Sequence, residues 1–156
     1  MASAKTFLMN LKTKLAVALI SFAPCLTGGA SAMSVEDFAR MNADDEATYV
    51  AILVEASAKM LKANGQPVQA RKAISLFKDS SKNGGVPQLA SNLKMINALN
   101  KRNAINPNNR VPVYQVEDAM ELTFKDEGII VPTSYLLTIS KDFRPSGPLR
   151  PRTIGQ

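Results

Sequence analysis

Between Asn42 and the Asn64-Gly65 pair, apolar side chains recur at helical spacing: Ala47, Val50, Ala51, Val54, Ala58 and Leu61. A stripe with this period forms one face only on a helix, because a strand would scatter it over both sides. Tyr49, Ile52, Leu53 and Met60 widen the stripe and predict a central helix covered from more than one direction. Its ends are marked as well. Asn42 has the side chain to accept a first-turn amide, and Asp44, Asp45 and Glu46 follow where the positive end of the helix dipole favours carboxylates. Asn64-Gly65 supplies a left-handed stop.

The neighbouring segments read as further helices. Ser34 and Asp37 form a capping pair for a short helix through Val35, Phe38 and Ala39 to Met41. Pro67 suits the first turn of a third helix that carries Val68, Ala70, Ala73, Ile74 and Phe77 inward and stops near Asn83-Gly84-Gly85. Pro87 opens a fourth, with Leu89, Ala90, Leu93 and Ile96 on one face, fraying around Arg102. Residues 104–112 form a loop by composition. A fifth helix over Tyr114 to Glu127 has the stripe Val116, Ala119, Met120 and Phe124 and is closed by Gly128. After an extended Ile129-Ile-Val131, Thr133 or Ser134 caps a last helix through Leu136, Leu137, Ile139 and Ser140. The expected fold is therefore an all-α bundle of about five to six helices spanning residues 33–142. Residues 143–156 are basic and rich in proline, which predicts an extended or flexible tail with no regular element.

Residues 1–32 have a different grammar. Lys5, Lys12 and Lys14 precede the apolar stretch from Leu15 to Ala23, Pro24 breaks it, and a small-residue segment ends in Ala30-Ser31-Ala32. The apolar run is too short to span a bilayer, which takes about 20 residues. Its order of blocks is that of a cleavable secretory signal, with small residues at Ala30 and Ala32 and a new N-terminus at Met33. Pro24 before Cys25 argues against lipid attachment at that cysteine. Cleavage would remove the only cysteine and three basic charges, lowering the net charge from +6 to +3. The product would be a disulfide-free periplasmic or secreted domain of 124 residues with no transmembrane segment.

Charge is distributed in blocks. Residues 33–66 carry a net −3, 67–112 a net +7, 113–140 a net −4 and 141–156 a net +3. Such alternation predicts that acidic and basic helices lie against each other in the fold, in surface pairs of small individual worth.

The chain has no histidine, and no cysteine beyond residue 25. Ser-His and Cys-His catalysis, histidine zinc sites and thiol redox chemistry therefore lack their residues in the exported part. Gly84-Gly85 lacks the Gly-Lys-Ser/Thr of a phosphate loop. No cofactor is expected. Two acidic alternatives stand. Glu117 and Glu121 share a helical face, with Asp118 adjacent, and such a pair suits a hard cation or acid–base work; its plainer reading is a solvated acidic face. Glu55 borders the central stripe, and helical cell-wall lyases use one such glutamate as general acid; its plainer reading is an edge carboxylate paired with Lys59. A third alternative is basic. Arg71, Lys72, Lys78, Lys82, Lys94, Lys101, Arg102 and Arg110 form a candidate partner-binding surface for an acidic protein, an anionic polymer or a lipid surface. Nucleic acid is not an expected partner, since only Phe77 lies within this stretch for stacking.

The start Met33-Ser-Val-Glu-Asp-Phe38 and the helical run after it resemble the opening of small periplasmic acid-stress chaperones and related toxin-immunity proteins. That resemblance implies an exported helical domain acting by binding another protein. The family pattern has a cysteine before Glu36-Asp37-Phe38, where this chain has Val35. Ala73 to Lys78 with Gly84 and Ala90 to Leu93 is similar to one hairpin of a tetratricopeptide-like repeat, but a solenoid needs about three such units and one is visible. The expectation is a non-catalytic envelope protein whose partner is another protein.

Overall fold

The computed structural model describes residues 32–78, 86–105 and 113–152. The expected signal, Ala30 included, lies outside these residues apart from Ala32, as do Lys82 and Arg110. Six helices occur among the described residues: α1 Val35–Arg40, α2 Ala43–Ala63, α3 Pro67–Phe77, α4 Pro87–Ala104, α5 Val116–Asp126 and α6 Thr133–Ser140. No strand occurs among the described residues, so the fold is all-α.

Local chemistry fixes most helix ends. Ser34 Oγ accepts from Asp37 N at 3.0 Å, opening α1. Asn42 Oδ1 accepts from Asp45 N at 2.8 Å while Asn42 Nδ2 donates to Asp45 Oδ2 at 2.7 Å, so cap and first turn bind each other. Both α2 and α5 end in the same way. Gly65 (φ 75°) and Gly128 (φ 72°) turn the chain left-handed. The next amide then reaches back, Gln66 N to Leu61 O and Ile129 N to Phe124 O, each at 2.9 Å. Side chains at these positions would strain the turn, whereas glycine adopts it freely.

α6 is closed differently. Neither Thr133 nor Ser134 caps it: Pro132 is the cap residue, and Thr133 is already in the helix. Glu121 Oε2 on α5 accepts from Thr133 N at 2.6 Å and also from the Thr133 hydroxyl. An eight-residue helix is too short to persist alone. This cap, the buried Leu136 and the bond from Tyr135 Oη to Ala56 O at 3.0 Å hold it on the bundle.

α2 is the centre. It packs on α3 and α6; α5 packs on α4 and α6, and α1 rests on α4. The face α2 turns inward is rotated from the expected stripe: Tyr49, Val50, Leu53, Val54, Ala58 and Leu61 are buried, while Ala47, Ala51 and Ile52 are exposed. Two polar residues take inward places, and each finds a partner; Ser57 Oγ donates to Leu53 O at 2.7 Å, and Asp45 is bonded as described below. On α3 only Ala70, Ala73 and Phe77 are buried, with Val68 and Ile74 facing outward. On α4, Leu89 and Ile96 are buried, Leu93 partly so, and Ala90 is exposed. The α5 stripe lies inward in full, with Val116, Ala119, Met120 and Phe124 at zero exposure.

Ion pairs join the charge blocks. Arg150 meets Glu46 at 3.7 Å and Arg152 meets Glu36 at 3.6 Å, the fourth block against the first. Lys72 meets Glu127 at 3.2 Å, the second block against the third. These pairs are exposed, and each is worth little; their value is in register rather than stability.

Candidate binding groove

The two acidic residues expected to share a face serve separate structural roles. Glu117 is fully buried rather than solvated, and its Oε1 accepts a hydrogen bond from the Tyr49 hydroxyl; its Oε2 is buried without a hydrogen-bond partner. Glu121 is spent on capping α6. Glu55 lies exposed on α2 and forms no ion pair with Lys59. No group of three or more His, Cys, Asp or Glu able to hold a metal ion occurs among the described residues.

Burial, and then the adjacent Glu117, push the Tyr49 phenol far above its ordinary pKa, so it stays a neutral donor. Around it Phe38 and Phe143 pack at ring-centroid distances of 5.8 and 4.9 Å. Phe143 is the first residue of the segment expected to be an extended or flexible tail. Residues 143–152 hold fixed contacts with the helices. The prolines do exclude a regular element, yet the segment lies against α1 and α2.

Asp45 is the anchor. Its carboxylate accepts from Ser146 N at 3.0 Å, from Ser146 Oγ at 2.8 Å and from Gly147 N at 3.2 Å. The Ser146 amide above all, then its hydroxyl, hold the Asp45 carboxyl below the usual carboxylate pKa. Farther along, Arg150 N donates to Arg40 O at 2.8 Å, and Arg40 Nε donates back to Arg150 O at 2.6 Å. Arg150 Nη2 also donates to Ala39 O at 2.9 Å. The last carbonyls of α1, which a helix cannot satisfy internally, are thus bonded by the C-terminal segment.

Docking of this segment builds a groove. Its volume is about 670 Å³, and its walls are α1, α4 and the stretch 150–152. Val35, Phe38, Leu93 and Pro151 give it apolar lining. Arg40, Lys94, Lys101, Arg150 and Arg152 surround that lining, against a single acid, Glu36. Three of the five cations are engaged: Arg40 with Asp37 at 3.1 Å, and Arg150 and Arg152 with the glutamates named above. Lys94 and Lys101 are exposed and make no ion pair with a described residue. They stand seven residues apart on α4 with Asn97 between, all on one face.

The expected basic surface is therefore divided. Lys94 and Lys101 line the groove, while Arg71, Lys72, Lys78 and Arg102 do not. Lys72 is used internally, its Nζ donating to Glu127 O at 2.6 Å at the end of α5. Sequence reasoning missed Arg40 and Asn97. The i, i+3, i+7 spacing of Lys94, Asn97 and Lys101 was a legible signal; the contribution of Arg40 depends on the far end of the chain.

No helix among the described residues is long and apolar enough to cross a membrane. The chain matches no family model, no curated protein and no solved structure.

Proposed function

We propose that this is an exported, non-catalytic helical protein that works by binding another protein of the cell envelope. The observation that carries the reading is the groove between α1, α4 and residues 150–152, an apolar lining edged by lysines that pair with no described acid. A concave patch of this composition suits a segment of another protein better than a small polar substrate. Supporting it, Glu117 and Glu121 are committed to Tyr49 and to the α6 cap, which closes that pair to a substrate.

Export rests on the basic, apolar and small-residue order of residues 1–32.

Crosslinking in intact cells tests the function. A discrete crosslinked species is expected from the wild-type protein and is lost in Lys94→Glu/Lys101→Glu, whose exposed positions leave folding intact. A species equally abundant in that variant would move the binding surface elsewhere; no species at all would defeat the reading. Mass spectrometry of the envelope form should find Met33 as its first residue, and an intact Met1 there would refute cleavage.

A further inference from the structure

We infer that the groove takes an acidic amphipathic peptide segment of the partner protein; this rests on the protein-binding reading above and names the chemistry recognised. Charge selects the sign. Among the groove-lining residues five are cations and one is an acid, and two of the cations, Lys94 and Lys101, are exposed and form no ion pair with a described residue. Exposed lysines gathered on one face favour carboxylates arriving from outside.

Spacing selects the form. Seven residues of helix separate Lys94 from Lys101 by roughly 10 Å along the α4 axis. Two acids at i and i+7 of a second helix match that distance, and the apolar residues between them then fall over Leu93, which is partly exposed. Asn97, midway between the lysines, offers both a donor and an acceptor to a polar group on the same face. The C-terminal wall adds Arg152, whose pair with Glu36 at 3.6 Å is exposed and open to exchange for an incoming carboxylate.

The composition favours peptide over other anions. A flat lipid surface would not enter a concave groove of about 670 Å³. Bases would need an exposed ring to stack on, and Phe38, the aromatic lining residue, is buried.

The test uses the protein as isolated from the expressing cell and a fluorescently labelled helical peptide with Glu at i and i+7 and Leu at i+3 and i+4. Anisotropy should show saturable binding that weakens as salt rises. Replacing both Glu by Gln, or using Lys94→Glu/Lys101→Glu protein, should reduce affinity about tenfold or more. Equal affinity for the Gln peptide, or an unaffected double variant, overturns the inference. So does preferential binding of phosphatidylglycerol vesicles or of a single-stranded oligonucleotide. A photo-crosslinking residue at position 97 separates the two levels. A protein trapped there in cells while the acidic peptide fails overturns the peptide chemistry alone, and failure of both removes the protein-binding reading.

Discussion

The Tyr49 hydroxyl on α2 donates to Glu117 Oε1 on α5, joining two helices that are 68 positions apart in sequence at a point sealed from solvent. Removing the donor leaves a buried carboxyl with neither oxygen bonded, since Glu117 Oε2 has no partner. Tyr49→Phe should therefore cost about 1–3 kcal/mol, the usual range for an orphaned buried polar group. Glu117→Gln keeps an acceptor and should cost less. Urea unfolding of both variants measures this, and a Tyr49→Phe midpoint equal to wild type would remove the bond from any account of stability.

The same pair sets an alkaline limit. The folded-state pKa of Tyr49 is raised, chiefly by burial and then by Glu117. Its contribution to stability is fully present below the ordinary phenol pKa of about 10 and is lost as pH climbs beyond it. Burial raises Tyr135 in the same direction. Stability followed from neutral to strongly alkaline pH should decline more gently in Tyr49→Phe than in wild type. Parallel declines would show that the phenol is not responsible.

Acid should act one helical turn away, at Asp45. Hydrogen bonds from Ser146 and Gly147 lower the Asp45 pKa, so the stability they supply is present above the ordinary carboxylate pKa and is lost as pH falls below it. Glu46, raised by burial against the opposing pull of Arg150, has the opposite sign and softens the transition. Amide hydrogen exchange at Ser146 and Gly147 should lose protection in acid before the α2 core does. In Asp45→Asn that protection should be weak already at neutral pH; full protection there would rule out the carboxylate as the anchor.

Gly128 is held at φ 72° with open space around the position where a Cβ would stand. Gly128→Ala therefore meets no clash, and its cost is conformational alone, about 1–2 kcal/mol. Thermal melting should show a drop of several degrees. An unchanged melting temperature would mean that the backbone relaxes out of the left-handed region.

Glu121 and Glu55 make a contrasting pair. Glu121→Ala removes the acceptor for Thr133 N and should cost about 1–2 kcal/mol, as loss of a helix cap does. Glu55→Gln alters an exposed, unpaired side chain and should fall within about 0.5 kcal/mol of wild type. Denaturant midpoints distinguish them, and a zymogram on peptidoglycan checks Glu55 for chemistry. A lytic band abolished by Glu55→Gln would overturn the non-catalytic reading.

Helix ends were readable where their chemistry is local. Ser34, Asn42, Asn64-Gly65 and Gly128 each act within a few residues, and all appear in the structure as their neighbours imply. The inward face of α2 was harder to read. Asp45 and Ser57 are polar, and apolar periodicity places them outside, yet both are buried with partners. Glu117 escaped for the same reason, its donor being on another helix. The docked C-terminal segment was the largest departure. Its prolines announce an irregular backbone, but nothing near Ser146 reveals the carboxylate 101 positions earlier that binds it. The alternation of charge blocks was the long-range trace left in the composition; it implied opposite blocks in contact, without saying which, and two of the pairs come from the non-helical C-terminal segment.

Arg40 and Arg150 bond to each other across 110 positions, and this separation bears on synthesis. During translation α1 and α4 emerge long before the wall that completes the groove. A chain cut after Phe143, by a premature stop or a protease, retains the core residues of all six helices but has no Ser146 for Asp45 to bind and no Arg150 to close α1. Such a molecule keeps two walls of the groove, α1 and α4, and lacks the third. Residues 146–152 thus tie the shape of the groove to a stretch far along the chain from the helices that form its other walls.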